Sequence, residues 1–311
     1  MREIYLKNEE NLTDAIKNSR SGDIIYLCEK SYHEKIIIDK PNLTIIGKGN
    51  KSIITFGDYS KKIHEKDGLE YNTFRSYTVN ITASGVKLKN LTIENTTQDP
   101  KTQGQAVALS VYGDNFLGEN LSLISKQDTL FCGPLPDDLI TRYIDFLPYT
   151  ERYAEGEFKQ FFRNCKIYGS VDYVFGCGVA YFDKCKFINV DDGRDTAYVA
   201  APAHSLKQTL GFTFIGCSFE KQGKFDSRVY LARPWRDYGK CTFINCTFGE
   251  HITQELFDKW GNTNRNRTAR FELYNCSNTS QAVSWAKHLT TEEAERIKKS
   301  DFLNEIGWLC L

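Results

Sequence analysis

Two aspartates stand at matching positions in a repeating sequence. Asp128 lies eight residues after Asn120, and Asp172 lies eight residues after Asn164, so they are expected at equivalent places on successive turns of the chain. Adjacent parallel strands are about 4.8 Å apart, and two carboxylates that close raise the pKa of one of them. A pair in which one carboxyl keeps its proton can combine nucleophilic with acid–base chemistry. The offset alone also fits a row of exposed aspartates at loop ends, which would have no chemical role.

The phrase that precedes both aspartates recurs along the chain as Asn or a substitute, Leu or Cys, a small or polar residue, and an apolar residue. Its copies begin at Asn42, Asn90, Asn120, Asn164, Lys184, Gly216, Asn245 and, in degraded form, Asn275. Asn and Gly tolerate the left-handed conformation of a tight corner, and the alternation that follows predicts a short, half-buried strand. Spacings of roughly 20 to 48 residues fit one or two coils of a solenoid. We therefore predict an all-β fold, a parallel β-helix that is right-handed by the crossover rule.

Cysteines take the second position in the later copies of the phrase. They are Cys165, Cys185, Cys217, Cys246 and Cys276. Their register predicts a buried column of small apolar side chains with reduced thiols. Metal binding is the alternative, but no Cys-x-x-Cys or His-x-x-x-His spacing accompanies them, so we expect no metal and no cofactor.

Short helices are predicted at both ends of the solenoid, where open sheet edges need a cover. The stripe near the start consists of Leu12, Ala15, Ile16 and Ser19. Near the other end, Thr290-Thr291-Glu292-Glu293 is typical of a capping box, followed by a helix to about Lys299. Residues 1–311 are accordingly interpreted as one β-helix domain.

Composition excludes some kinds of partner. Lys plus Arg and Asp plus Glu both number 40, and no basic cluster stands out, which argues against nucleic-acid binding. The sequence shows no apolar run of signal-peptide length and none near the ~20 residues of a membrane span. We expect a monomer that does not bind membranes. It would be cytoplasmic, or secreted if the sequence is the mature or shortened form of a longer chain.

Five motifs in order resemble those of the pectin methylesterase (pectinesterase) family, namely Gly-x-Tyr-x-Glu, Gln-Ala-Val-Ala-Leu, Gln-Asp-Thr-Leu, Asp-Phe-Ile-Phe-Gly and Leu-Gly-Arg-Pro-Trp. The counterparts are residues 30–34, 105–109, 127–130, 172–176 and 231–235. Lys30 stands where the first motif has Gly, Tyr173 and Val174 replace Phe and Ile, Ala232 replaces Gly, and Phe131 stands where the family often has Tyr. The resemblance covers nearly the whole chain, to endings at Trp285-Ala286-Lys287, Phe302-Leu303 and Trp308-Leu309.

The resemblance implies an enzyme that removes methyl esters from C6 of galacturonate units in pectin or its oligomers. By the same resemblance, Asp172 would be the nucleophile and Asp128 the raised-pKa acid and later base. Gln105 and Gln127 would stabilise the oxyanion, and Arg233 would hold Asp172 ionised. Arg233 follows a coil about two steps beyond Asp172, within reach of a long side chain.

Further residues are candidates for contact with a sugar. Trp235 and Phe175 would stack on pyranose faces, although core packing remains an alternative for both. Thr78 matches a segment that lines the family's cleft, and Val171 precedes the proposed nucleophile.

An insertion at about 134–157 separates the two aspartate coils. It contains Tyr143, Phe146, Tyr149 and Tyr153, and it should overhang the cleft because it leaves one coil after Asp128 and returns before Asp172. A lid or sugar-stacking wall is one interpretation. A packed surface excursion or a dimer contact is the other.

Other functions remain open at this point. Another β-helix enzyme of the polygalacturonase or pectate lyase type is one, although neither the aspartate motifs of the former nor the calcium carboxylate cluster of the latter is found. A non-catalytic carbohydrate-binding β-helix is a second alternative. A relative that kept this site but cleaves a different ester is a third.

Overall fold

The computed structural model describes residues 1–148, 151–152, 158–224 and 226–298, and within them the chain winds into three parallel sheets of eleven, seven and eight strands. Each full coil gives one strand to each sheet. Neighbours within a sheet therefore come from successive coils, and every pairing between the named strands is parallel. The predicted parallel β-helix is confirmed.

The strands of the first sheet are Glu3–Tyr5, Ile24–Tyr26, Thr44–Ile46, Lys87–Lys89, Phe116–Glu119, Lys159–Arg163, Val179–Asp183, Phe212–Ile215, Lys240–Ile244, Arg270–Tyr274 and Lys287–His288. Those of the second are Ile36–Ile38, Val79–Ile81, Leu109–Val111, Leu130–Cys132, Val171–Gly176, Thr196–Pro202 and Arg228–Ala232. Those of the third are Ser31–His33, Ile53–Phe56, Thr92–Asn95, Ser122–Ile124, Lys166–Gly169, Lys186–Asn189, Ser218–Lys221 and Thr247–Phe248. The α-helices of the described residues are Leu12–Asn18, Asn72–Arg75, Pro100–Gln103, Asp137–Arg142 and Thr291–Lys298, with 3-10 turns at Gly49–Lys51 and Arg265–Arg267.

The repeated phrase begins at a left-handed corner, as predicted. All eight starting residues have positive φ, between 47° at Asn275 and 60° at Gly216. Most copies lead from the first sheet into the third, where Asn side chains also bond along the stack, as between Asn120 Nδ2 and Asn90 Oδ1 at 2.8 Å. Two copies differ: the phrase at Asn42 leads into a strand of the first sheet, and no strand of the third sheet follows the degraded copy at Asn275 in the described part of the chain. The same local need for a left-handed residue recurs at another corner of the coil.

Aromatic and sulfur columns fill the interior. Phe182, Phe214 and Phe243 stack in sequence on the first sheet, with ring centroids 4.9 and 4.6 Å apart. The five cysteines of the phrase form the predicted column, and their thiols contact backbone carbonyl oxygens of the neighbouring strand, for example Cys217 Sγ to Phe182 O at 3.2 Å. All five are free thiols.

Both predicted terminal helices are present. Leu12 and Ile16 of the first helix are buried against the first coils. At the other end, Thr290 N–H donates to Glu293 at 2.9 Å and Glu293 N–H donates to the Thr290 hydroxyl at 3.2 Å, which is the reciprocal bonding of a capping box. Across the described residues, no helix has the length and apolar character needed to span a membrane.

Candidate active site

The register of the second sheet brings the two aspartates side by side. Leu130 pairs with Val174, and Gln127 bridges Val171, so Asp128 stands opposite Asp172 on the adjacent coil. Both aspartates have positive φ, 60° and 51°, a conformation that Asp tolerates better than most residues. Both line one pocket and are largely buried, with 8% and 9% of their surfaces exposed. The predicted juxtaposition is confirmed, and the ladder of exposed aspartates is wrong.

Arg233 binds the second of these carboxylates in a bidentate pair. Its Nε donates to Asp172 Oδ1 at 2.9 Å, and its Nη2 donates to Asp172 Oδ2 at 2.7 Å. Arg233 follows the strand Arg228–Ala232, which lies two strands beyond Val171–Gly176 in the second sheet, as the sequence indicated. A charge-assisted fork of this kind fixes the orientation of the Asp172 side chain.

Two aromatic rings hold the guanidinium of Arg233 in place. Its central carbon lies 3.7 Å from the ring centre of Tyr198 and 4.2 Å from that of Trp260. Burial by itself would lower the pKa of Arg233, but the adjacent Asp172 carboxylate raises that pKa on balance. The arginine is therefore a fixed cation on one side of the pocket.

Among the described residues, no cation lies at hydrogen-bond distance from Asp128. Burial, and next the charge of Asp172, raise the pKa of Asp128 well above its ordinary value, while Arg233, Arg194 and a hydrogen bond from Gln127 oppose this rise. The two carboxyls therefore differ in environment. Asp172 is matched to a cation, and Asp128 favours its protonated form.

The two glutamines present their amides to the same pocket. The side-chain oxygen of Gln105 accepts a hydrogen bond from Ser60 Oγ at 2.7 Å, and that of Gln127 accepts one from Arg194 Nη2 at 2.8 Å. With both oxygens engaged, the NH₂ groups serve as the donors of these two pocket-lining side chains, and that of Gln127 already donates to Asp128. Such donors can stabilise a developing oxyanion.

The opposite rim of the pocket comes from the segment after the cis Gly133–Pro134 peptide. Leu139, Arg142 and Tyr143 line the pocket with the residues described above. The helix that carries them is tied to the body by Arg236, whose Nη2 donates to Asp138 Oδ2 at 2.6 Å. Tyr149 and Tyr153 of the predicted insertion lie outside the described residues.

The residues predicted to contact a sugar differ in their burial and in whether they line the pocket. Trp235 is half-buried and lines the pocket. Phe175 lines the pocket as well, but it is only 2% exposed and its ring packs against those of Phe131 and Trp235. Thr78 is fully buried and its hydroxyl donates to Glu94 O at 3.0 Å. Val171 is 4% exposed, and neither it nor Thr78 lines the pocket. A role of Phe175, Thr78 and Val171 in sugar contact stays a prediction.

Sequence reasoning missed the residues that hold the reacting groups. Tyr198 could have been found, because it lies on the strand between those of Asp172 and Arg233 and pairs in register with Val171. Trp260, Arg194 and Ser60 come from irregular segments or turns, to which the repeat assigns no register.

Comparison with known proteins is consistent across sequence and structure. The model of the Pectinesterase family matches residues 5–134 and 139–305, and so leaves out only four residues of the segment interpreted as an insertion. Pectinesterase QRT1 of Arabidopsis thaliana is 28% identical over 97% of this chain and 75% of its own length. Putative pectinesterase 11 of the same plant is 27% identical over 98% of this chain and 77% of its own.

Two solved structures are similar in fold. A pectin methylesterase in complex with a hexasaccharide superposes with a TM-score of 0.80 at 23% identity, covering 97% of both chains. Pectin methylesterase from carrot gives 0.81 at 22% identity, covering 99% of this chain and 94% of its own. Both are right-handed parallel β-helices, which confirms the predicted handedness.

Proposed function

Since the chain belongs to the pectinesterase family and is an enzyme, we propose that it hydrolyses the C6 methyl esters of galacturonate units in pectin or its oligomers. One observation carries the proposal. A carboxylate bound by an arginine fork, Asp172, faces a buried carboxyl with a raised pKa, Asp128, in a pocket that two amide donors also line. That set of groups matches what acyl transfer through a carboxylate nucleophile requires.

The first half-reaction forms an acyl-enzyme. The Asp172 carboxylate attacks the ester carbonyl carbon, and the NH₂ groups of Gln105 and Gln127 donate to the oxygen as it becomes negative. When the tetrahedral intermediate collapses, the bond to methoxide breaks and Asp128 gives its proton to the departing oxygen. Methanol leaves, and an anhydride joins Asp172 to the galacturonyl group.

The second half-reaction reverses these roles. Asp128, now a carboxylate, takes a proton from a water molecule as that water attacks the galacturonyl carbonyl of the anhydride. Collapse of the second intermediate breaks the bond to Asp172, which returns as a carboxylate to the fork of Arg233. Asp128 ends protonated, ready for the next ester.

The charges around the pocket fit an acidic substrate. Arg233 is paired with Asp172, and Arg236 with Asp138. The exposed Arg142 on the rim forms no ion pair with the part of the chain that the structure describes. We propose that the segment after Pro134 forms a wall of the sugar site, where Arg142 attracts free carboxylates along the polymer and Trp235 contacts a pyranose ring.

The test is methanol release from methyl-esterified polygalacturonate and from short oligomers, with product length measured in parallel. We expect methanol without chain shortening. Asp172→Asn should lower the rate by at least about 10³-fold, because the amide is a poor nucleophile. Asn also tolerates the left-handed backbone at this position, so the fold should be kept. Shortened chains, or an Asp172→Asn variant as fast as the unchanged enzyme, would contradict the proposal.

A further inference from the structure

The orientation of a glutamine amide decides whether it donates or accepts, and its two ends have nearly the same shape. In the proposed reaction, which the inference below rests on, both pocket glutamines must present NH₂ to the oxyanion. An amide turned end for end would place its carbonyl oxygen there and repel the developing charge. Some feature outside the pocket must therefore fix the orientation before substrate arrives.

Arg194 meets this requirement for Gln127. A guanidinium can only donate, so its contact of 2.8 Å from Nη2 identifies the Gln127 atom that it binds as the oxygen. The same Nη2 lies 2.8 Å from Asp192 Oδ2, a carboxylate whose side chain is 1% exposed. Ser227 Oγ also donates to the Arg194 carbonyl, which anchors the backbone. Arg194 is thus held from two directions while it holds Gln127.

Ser60 holds Gln105 through several bonds. Its hydroxyl can both donate and accept, and its proton has two acceptors in reach, the Gln105 side-chain oxygen at 2.7 Å and the more distant Gln103 carbonyl oxygen at 3.3 Å. The Gln105 backbone N–H donates to Ser60 Oγ at 3.1 Å, and the serine hydroxyl proton then bonds the Gln105 side-chain oxygen at 2.7 Å. Ser60 N–H also donates to the Gln105 carbonyl at 2.8 Å. These three bonds join the two residues across 45 positions of sequence.

Neither Arg194 nor Ser60 lines the pocket. We infer that they are positioning residues, which lock the amides of Gln127 and Gln105 with their NH₂ groups toward the scissile carbonyl. They act through the glutamines, touch no substrate, and contribute only while the glutamines are present.

That dependence can be measured in a double-mutant cycle. Gln127→Ala should lower kcat by about 10²-fold through loss of one oxyanion donor. Arg194→Ala should lower kcat by about tenfold with KM nearly unchanged, since substrate binding in the ground state does not use the donor. Added to Gln127→Ala, it should have almost no further effect on kcat. Arg194→Lys should recover part of the loss, because an ammonium also only donates.

A matched control separates positioning from general damage. The Arg163 side chain is exposed to a similar degree as that of Arg194, 23% against 27%, and it also pairs with an aspartate, Asp183, but on the first sheet away from the pocket. Arg163→Ala should leave kcat unchanged. If Arg194→Ala leaves kcat unchanged, or if its effect multiplies with that of Gln127→Ala, the inference is wrong.

Ser60→Ala with Gln105→Ala forms a second cycle that does not depend on Arg194. We expect the same saturation, and independent, multiplying effects would contradict the role of Ser60. Failure of the proposed function is distinguishable, because the unchanged enzyme would then release no methanol. Wild-type release together with multiplying cycles would overturn only the positioning role.

Discussion

At the scale of the single residue, the two aspartates show how the same side chain acquires two behaviours. Each sits in a left-handed corner on the same face, and only the surroundings differ. Asp172 has a bidentate arginine, whereas Asp128 has burial and a neighbouring negative charge. The surroundings therefore pair one carboxyl with a cation and favour the neutral form of the other.

Asp128 should reduce stability as the pH rises, because its pKa is higher in the folded chain than in the unfolded chain. Below about pH 4 both states carry the proton. Above that, the unfolded state releases it first, so the free energy of unfolding falls until the folded carboxyl also ionises. Asp128→Asn, neutral at every pH, should raise the melting temperature by several degrees at neutral pH and leave it unchanged near pH 3.

Thermal unfolding of both proteins across this pH range tests the prediction. Asp145→Asn, an exposed carboxylate of the rim segment, serves as a control and should leave the melting temperature unchanged. A variant that is no more stable than the unchanged protein at neutral pH would show that burial of the Asp128 carboxyl does not lower the stability of the folded state. The activity of Asp128→Asn should be lost regardless.

At the scale of the element, the segment after Pro134 is fastened by a buried acid. Glu151 is 2% exposed and accepts a hydrogen bond from Asn80 Nδ2 at 2.7 Å. Burial raises the pKa of Glu151 to about 7, with the bond from Asn80 opposing the rise. The neutral carboxyl favours the docked segment, so the stabilisation is complete in acid and is lost as the pH rises through about 7.

Glu151→Gln should remove this dependence, since the amide stays neutral and can still accept from Asn80. Trypsin should cut at Arg142 or Arg152 faster at pH 8.5 than at pH 6. We expect this increase in rate to be about tenfold larger in the unchanged protein than in the variant. Rates normalised to a denatured peptide correct for the pH response of the protease. Equal pH profiles in the two proteins would count against ionisation of Glu151 as the cause.

The elements of the fold differ in how well they could be predicted from the sequence alone. The repeated phrase predicts the corners, the positions that are equivalent on successive coils, and the pairing of Asp128 with Asp172. Each of these depends only on local conformation and on register. Ser60 and Arg194 could not be predicted in this way. Their contacts bridge 45 and 67 residues from irregular segments, and only the folded solenoid sets those distances. The low exposure of Phe175 could not be predicted either, because the type of a motif residue gives no indication of how far it is buried.

At the scale of the whole molecule, the candidate site and the phenylalanine stack of the core lie on different sheets. The two aspartates of the site lie at interior strands of the second sheet, whereas the phenylalanine stack lies on the first. Phe214→Ala should lower the free energy of unfolding by about 3–5 kcal/mol through the cavity that it leaves, and Phe214→Leu by less. Urea titration measures this loss. The kcat per folded molecule should stay unchanged, and a lower kcat with unaltered stability would show that the two sheets are coupled.

The column of free cysteines offers a way to follow how this molecule unfolds. Cys165, Cys185, Cys217 and Cys246 are buried on successive coils, while Cys276 beyond them is half-buried. A thiol reagent reaches a sulfur only when its coil opens, so the order of alkylation records the order in which coils detach. If the solenoid frays from its C-terminal end, Cys276 is modified first and Cys165 last. The cysteines therefore report, coil by coil, the direction in which the solenoid unfolds.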